Sequence, residues 1–323
     1  MKSETKDMFN NVKLTYNNVL FLTSGDKWDV DMIGDRGIDV CPIYKKQNKL
    51  GRIIRRLHSR INLINKDIWY DTWKKNLNGY ECIIVFDAII DFQVISYIRN
   101  NTNRNCRLIF YFRNIIDSNK RNWLKYLFEN DYEIWSFDEK DCHKYNLKYN
   151  PEYFFEDSIN KIEGKSRLKN DIIFIGIDKG RLQKLLELRN IFNDKNLKSY
   201  FYILQDKLKY NIEEKKELKK KIMPYKDVLR LTNESKAILE LLSGTQEGLT
   251  LRSLEAIFLK KKLITDNQKI INYPFYSKEN VFILGRDSID KIQSFINSDY
   301  KELDYKILNY YTFEEWFNRL FRR

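Results

Sequence analysis

The sequence predicts an α/β protein built from two parallel sheets with helices on their faces. Three observations predict it. Apolar runs of strand length alternate with segments of helical period, in two successive series. A polar stretch with one glycine, residues 156–169 (EDSINKIEGKSRLK), separates the series. The length, 323 residues, suits two domains of ordinary size.

In the first series, residues 18–24 (NVLFLTS) form an apolar run that ends in small residues and Gly25-Asp26. This is a buried strand feeding a loop. Asp29 and Asp31 follow as Asp-x-Asp, a pattern that can hold a metal and a diphosphate, but it stands too early in the chain for that use. Residues 49–62 place Leu50, Ile53, Ile54, Leu57 and Ile61 on one helical face, with Arg52, Arg55, Arg56 and Arg60 on the other side. The stripe is read as packing this helix onto its domain, and a basic amphipathic surface for anionic lipid is the other reading. Residues 66–77 are expected to continue as helix, with Trp69 and Trp73 in the core. Then come a strand at 81–87, a helix at 92–98, a strand at 107–112, a loop at Arg113-Asn114, a helix near 120–129 and a strand at 132–137 ended by Asp138. Ligands of parallel sheets bind beyond the carboxyl ends of the strands. Asp26, Asp87, Arg113 and Asp138 fall at such ends.

The second series opens with a strand at 171–177 (DIIFIGI) that contains Gly176. Asp178, Lys179, Gly180 and Arg181 form the turn into a helix starting at Leu182. A strand, a glycine-containing turn and a helix start can cradle a phosphate, although this is not the GxGxxG fingerprint of dinucleotide binding. Strands are expected at 199–204, 262–266 and 281–284, a charged helix or surface turn at 211–221, and a helix at 289–297. Residues 235–242 (SKAILELL) lead into the stretch that organises the chain. Thr312 begins a final helix, with Glu315 at capping-box spacing and an apolar stripe of Phe313, Trp316, Phe317, Leu320 and Phe321.

That organising stretch is 244–267 (GTQEGLTLRSLEAIFLKKKLITDN). Gly244 and Gly248 loosen a polar loop, Thr245 or Thr250 caps the next helix, and Leu251, Leu254 and Phe258 mark its buried face. Arg252 and Glu255, three residues apart, share another face. An anion at the helix mouth would meet unpaired N–H groups, the helix dipole and Arg252. A ribose attached to it would reach Glu255, roughly 4–5 Å deeper along the helix.

The run Gln-x-Gly-Leu-Thr-x-Arg-x-x-Glu-Ala, followed by Lys-Lys-Leu-Ile-Thr-x-Asn, resembles bacterial glycosyltransferases of GT-B type, above all those that build capsule or lipopolysaccharide sugars. The run SFDEKDCHKYNLKYN from Ser136, which contains His143, is similar to a segment of the same group. The resemblance implies two Rossmann-like domains facing a cleft: an acceptor-side domain at 1–160, a nucleotide-sugar domain at 165–308, and a terminal helix at 309–323 returning to the first domain. It implies that Gln246, Gly248, Thr250, Arg252 and Glu255 bind the donor, joined by Gly176, Lys179 and Arg181 from the first turn of the second domain. Basic groups and helix N-termini would then replace a metal on the departing diphosphate. No metal and no cofactor is expected beyond the nucleotide-sugar substrate. Asp26 and Asp87 are the candidate catalytic bases. The expected acceptor is a glycan or a lipid-linked oligosaccharide, with contact to an anionic membrane surface on the cytoplasmic side.

Composition is compatible with this. Apolar residues are 43% and aromatic residues 15%, enough for packed cores. No apolar run approaches the length of a membrane span, and the start (MKSETKDMFNN) lacks the apolar region of a signal peptide. Cys41, Cys82, Cys106 and Cys142 are therefore expected as thiols, and without a CxxC pair they do not suggest a zinc site. The net charge of +13 admits a basic nucleic-acid-binding protein as an alternative, but no recognisable binding module accompanies it, and nucleic acid is not the expected partner. Another nucleotide-dependent enzyme on the same sheet architecture is the second alternative.

Overall fold

The computed structural model describes residues 18–58, 66–87, 92–117, 120–162, 167–244 and 248–322. By contact the chain forms two compact units, residues 1–111 with 117–134, and residues 112–116 with 135–323. The elements in chain order are β1 (Val19–Thr23), α1 (Lys27–Gly34), β2 (Asp39–Pro42), α2 (Lys49–His58), β3 (Cys82–Phe86), α3 (Phe92–Asn100), β4 (Arg107–Phe112), α4 (Arg121–Glu129), β5 (Tyr132–Ser136), α5 (Glu139–Tyr145) and β6 (Lys148–Tyr149). They continue with β7 (Asn170–Ile177), α6 (Leu182–Asp194), β8 (Ser199–Leu204), α7 (Ile212–Glu217), β9 (Leu218–Lys219), α8 (Tyr225–Asn233), β10 (Ser235–Glu240), α9 (Leu251–Phe258), β11 (Lys262–Thr265), β12 (Val281–Ile283), α10 (Ile292–Asn297), α11 (Tyr305–Tyr310) and α12 (Phe313–Phe321).

The strands make two six-stranded parallel sheets, in the orders β2-β1-β3-β4-β5-β6 and β12-β11-β10-β7-β8-β9. The architecture is thus α/β and Rossmann-like, as the alternation of elements predicts. Central strands are buried along their whole length, as in β1 and β3, because helices cover both faces of such sheets. The second sheet packs Ile172, Phe174, Leu239 and Ile264 against Leu182, Leu185, Leu188 and Phe192 of α6. Burying each such side chain is worth roughly 1.5–3 kcal/mol, which fixes α6 on its sheet.

Both sheets share one topological property. The first begins at β1 and extends to β2 on one side and β3 on the other; the second begins at β7 and extends to β8 on one side and β10 on the other. Each sheet therefore has a switch point, between β1 and β3 and between β7 and β10, where a crevice opens at the strand ends.

Two expectations are corrected, and a third, the charged helix at 211–221, is refined. Residues 66–77 are not one helix but three short 3-10 turns, Lys66–Trp69, Thr72–Lys75 and Leu77–Gly79. Asp71 is extended, which interrupts the segment, and caps the second turn through the Thr72 N–H, while the Trp73 ring N–H donates to the Ile43 carbonyl at 2.9 Å. The stripe of α2 does not pack: Leu50, Ile53, Ile54 and Leu57 are 46–64% exposed. Arg60 and Ile61 lie outside the described residues. Residues 211–221 resolve into α7, with Asn211 and Glu214 forming a capping box, followed by the edge strand β9.

Thr312 caps α12 by accepting the Glu315 N–H, and Phe313, Trp316, Phe317 and Leu320 are buried. The helix lies on residues 150–155. Tyr153 meets Trp316 at 4.6 Å between ring centroids, and the Asn150 side chain donates to the Trp316 carbonyl at 3.0 Å. Phe154 N–H donates to Tyr311 and Phe313 N–H to Phe154, a short bridge that clamps the chain just ahead of α12.

Candidate functional site

The crevice at the β7–β10 switch point gathers most of the residues singled out by the sequence. At the end of β7, Lys179 and Gly180 both have positive φ, 49° and 79°, and Arg181 N–H donates back to the Asp178 carbonyl at 3.0 Å. This is a tight turn of the mirror-image kind, costly for lysine and free for glycine. Two acids brace it. Tyr210 donates its hydroxyl toward Asp178 (2.8 Å) and Asp206 (2.6 Å). Burial works against the Asp206 carboxylate, but hydrogen bonds from Tyr210 and from the Leu208 and Lys179 N–H groups hold its pKa below the usual range. The N-cap residue of α6, Arg181, makes no side-chain cap hydrogen bond, so the first turn lacks the partner that usually satisfies its N–H groups.

Arg181 does not project outward. Its guanidinium donates to the carbonyls of Asp178, Ile177 and Leu241, joining the ends of β7 and β10 across the switch point. Burial lowers its pKa, the Asp178, Asp266 and Glu240 carboxylates oppose that, and the positive Arg252 adds to the fall. The two basic stretches of the sequence therefore meet in one electrostatic environment. Gly176 lies beside this arginine: a Cβ there would stand 3.3 Å from the Phe174 ring and 3.7 Å from the Arg181 guanidinium. Lys179 is exposed at the turn.

Beyond β10 the chain enters the loop to α9. Thr250 caps the helix by accepting the Arg252 N–H at 3.1 Å and donates its hydroxyl to Glu240. Glu240, at the end of β10, also accepts from Ser253 (2.7 Å) and Thr265 (2.5 Å). Burial raises its pKa against those three hydroxyl donors. Arg252 pairs with Glu255 one turn on, as their spacing predicts. Glu255 is fully buried, whereas the Arg252 side chain keeps 25% of its surface exposed. The second Glu255 oxygen accepts the Tyr225 hydroxyl at 2.8 Å. The carboxylate thus has both oxygens engaged, and Arg252 is the member of the pair that reaches solvent. Gln246 and Thr245 lie outside the described residues.

Gly248 is held from another direction. Its N–H donates to Asp138 Oδ2 at 2.8 Å, and a Cβ at this position would stand 2.9 Å from the Phe137 ring and 3.1 Å from Asp138 Cα. Asp138 Oδ1 accepts the Asp141 N–H and caps α5. His143 lies exposed on α5.

In the first sheet, Asp26 and Asp87 flank the β1–β3 switch point. Asp26 is exposed and caps α1 by accepting the Trp28 N–H at 2.9 Å. The Asp87 side chain is buried and paired with Lys120 at 2.8 Å. Asp29 and Asp31 sit on α1, where Asp31 pairs with the exposed Lys27.

Glu240 and Tyr225 were not visible as site residues in the sequence. A glutamate ending an apolar strand, SKAILE, followed by Thr250, Ser253 and Thr265, is the one signal for the first. Nothing local marks Tyr225.

No family model and no curated protein matches the chain. Among solved structures it matches a protein of Listeria monocytogenes described as a UDP-N-acetylglucosamine 2-epimerase, at 9% identity over 94% of each chain, with a TM-score of 0.46. It also matches the NAD+-bound 3-phosphoglycerate dehydrogenase of Entamoeba histolytica at 13% identity, over 87% of this chain and 90% of that one, with a TM-score of 0.23. Likenesses this distant say nothing of activity.

Proposed function

We propose that the chain is an enzyme acting on a nucleotide sugar, a glycosyltransferase of GT-B type that moves the sugar to a glycan or lipid-linked acceptor in bacterial surface polysaccharide synthesis. One observation carries the reading: Arg252, half-buried at the mouth of α9 and fixed by a buried carboxylate, stands in the same electrostatic environment as the β7–α6 turn, at the switch point of the second sheet. This arrangement suits an anion such as a diphosphate.

In this reading the N–H groups opening α6 and α9, with Arg252 and Lys179, carry the charge on the departing nucleoside diphosphate, so no metal is needed. Arg181 braces the two strand ends beneath it. Gly176, Gly248 and Thr250 shape the walls, and Gln246, outside the described residues, is a further donor-binding residue of this reading. Glu255 holds Arg252 in place and lies on the ribose side. Asp26, exposed beyond β1, is the preferred base, and Asp87 with its Lys120 partner is the second candidate.

Calorimetric titration with uridine, guanosine and cytidine nucleotides, with and without EDTA, tests the reading. Saturable binding of at least one nucleoside diphosphate in EDTA is expected; no binding of any, or binding only with a divalent metal, overturns it.

A specific observation also favours attachment to an anionic membrane surface. The apolar stripe of α2 is exposed, and Lys49, Arg52, Arg55 and Arg56 occupy the rest of the same helix. No helix among the described residues is long and apolar enough to cross a membrane.

A further inference from the structure

Adjoining the proposed donor site at Gly248, the second unit contains a cleft of about 870 Å³. Its walls come from α5, the Gln268–Asn272 turn and the end of α11, and Gly248 lies at one edge. Its volume is that of a small-molecule site.

The chemistry of the lining is narrow. Among the described residues no Leu, Ile, Val, Met or Phe lines it, so its apolar surface comes from tyrosine rings, Pro274 and lysine stems. Lys140 and Lys144 come from α5 and Lys269 from the Gln268–Asn272 turn, against one carboxylate among the described residues, Glu139. The remaining surface is largely tyrosine: Tyr310 is exposed, Tyr149 and Tyr273 are half-buried, and the buried Tyr311 packs against Tyr310. Aromatic faces stack on the C–H faces of sugar rings, phenol and amide groups pair with hydroxyls, and ammonium groups pair with carboxylate or phosphate. No arginine among the described residues lines the cleft, which disfavours the phosphodiester backbone of a nucleic acid.

The cleft is also preorganised. The Asp138 carboxylate fixes both α5 and Gly248. Tyr273 stacks on the buried Phe275 at 5.6 Å between centroids, and Tyr311 meets the same ring edge-on at 5.6 Å. A rigid wall loses less entropy when a flexible glycan binds.

We propose that this cleft binds an anionic saccharide, one whose sugar rings lie on the tyrosines while a carboxylate or phosphate meets Lys140, Lys144 and Lys269. As the acceptor site of a transferase it rests on the nucleotide-sugar reading; as a binding site it stands on its own residues. His143, exposed on the same face of α5, would lie beside the bound sugar.

The test is calorimetry on the full chain with four probes: trigalacturonate, glucose 6-phosphate, maltotriose and pentathymidylate. One of the two anionic sugars should bind at least roughly tenfold more tightly than maltotriose, with binding that weakens in salt. Which one binds distinguishes carboxylate from phosphate. The Lys140→Gln/Lys269→Gln variant, altered only at exposed side chains, should lose roughly tenfold or more in that affinity, the size of a lost charge-assisted contact, with an unchanged circular dichroism melt. Equal affinity for maltotriose, tighter binding of pentathymidylate, no binding of either anionic sugar, or an unaffected double variant would overturn the proposal. Nucleoside diphosphate affinity, measured on the same variant, should not change. If the wild type binds the anionic sugar and no nucleotide, the transferase reading falls and the cleft stands.

Discussion

Asp138 Oδ2 accepts the backbone N–H of Gly248 at 2.8 Å, across 110 residues of sequence. The same carboxylate caps α5 through Asp141 N–H at 3.1 Å. One side chain thus ties together the two stretches whose sequences drew attention separately, the run from Ser136 and the loop before α9. The close approach explains the glycine. A Cβ would press on the Phe137 ring and the Asp138 backbone, neither of which is a flexible chain end. Gly248→Ala should therefore cost roughly 1–3 kcal/mol, the usual penalty of overpacking. Asp138→Ala should cost at least about 1 kcal/mol through the lost cap alone. Urea melts check both, and a Gly248→Ala midpoint equal to wild type would show that the loop yields without strain.

Arg252 and Glu255 make a prediction that separates two roles for the glutamate. Arg252→Ala should weaken nucleoside diphosphate binding by roughly 1.5–3 kcal/mol, one charged hydrogen-bonded contact. Glu255→Gln leaves the shape but removes the charge that holds Arg252. If Glu255 acts by positioning the arginine, pyrophosphate and the nucleoside diphosphate lose affinity in parallel. If it touches the ribose, only the nucleoside diphosphate loses. Titrating both ligands into both variants decides, and undiminished affinity in both would remove the pair from the donor site.

The two sheets were legible in the sequence because central parallel strands are buried on both faces and read as continuous apolar runs, such as VLFLT and CIIVF. The edge strands β6 and β9 were not, since two residues carry no pattern. Nor was β2, whose residues Asp39–Pro42 are largely not core. Helical period revealed that α2 has an apolar face, but period alone cannot say whether anything covers that face. In the site, Arg252 and Glu255 were readable because three residues along a helix is a fixed distance. Glu240 was not, because its hydroxyl donors Thr250, Ser253 and Thr265 are spread over two elements and a loop. The engagement of Arg181 with the Leu241 carbonyl depends on strand order, which the sequence left open.

Lys261 supplies a pH dependence of stability. Burial lowers its pKa from 10.5 to about 8, while its ammonium donates to the Asn233 carbonyl at 2.6 Å. Between these two values the unfolded chain binds more protons than the folded one, so stability rises with pH across that window. Below about pH 8 both states are protonated and the burial penalty is present in full. Lys261→Met removes this group. Relative to the variant, the wild type should gain stability as pH rises through the window, and its urea midpoint should rise more steeply. Parallel midpoints for the two proteins would mean that the ammonium stays hydrated in the folded state.

The α2 helix makes the last prediction. Leu50, Ile53, Ile54 and Leu57 form a stripe that its own unit leaves exposed, and Arg55 stacks on Tyr44 at 3.8 Å with Arg52 and Arg56 exposed nearby. An interfacial helix of this composition gains from apolar insertion and from charge, each basic residue near an anionic surface contributing about 1 kcal/mol, screened within a Debye length. The two contributions are separable. Co-sedimentation with vesicles of phosphatidylglycerol should exceed that with phosphatidylcholine and fall with salt. Arg52→Gln/Arg56→Gln should abolish the lipid preference while leaving weak binding to both vesicles. Ile53→Ser/Leu57→Ser should keep the preference at low salt but lose the fraction that survives high salt. Both pairs change exposed side chains, so the melting curve should stay in place. Equal pelleting of wild type with both lipids, or none with either, would leave the stripe of α2 without a membrane role.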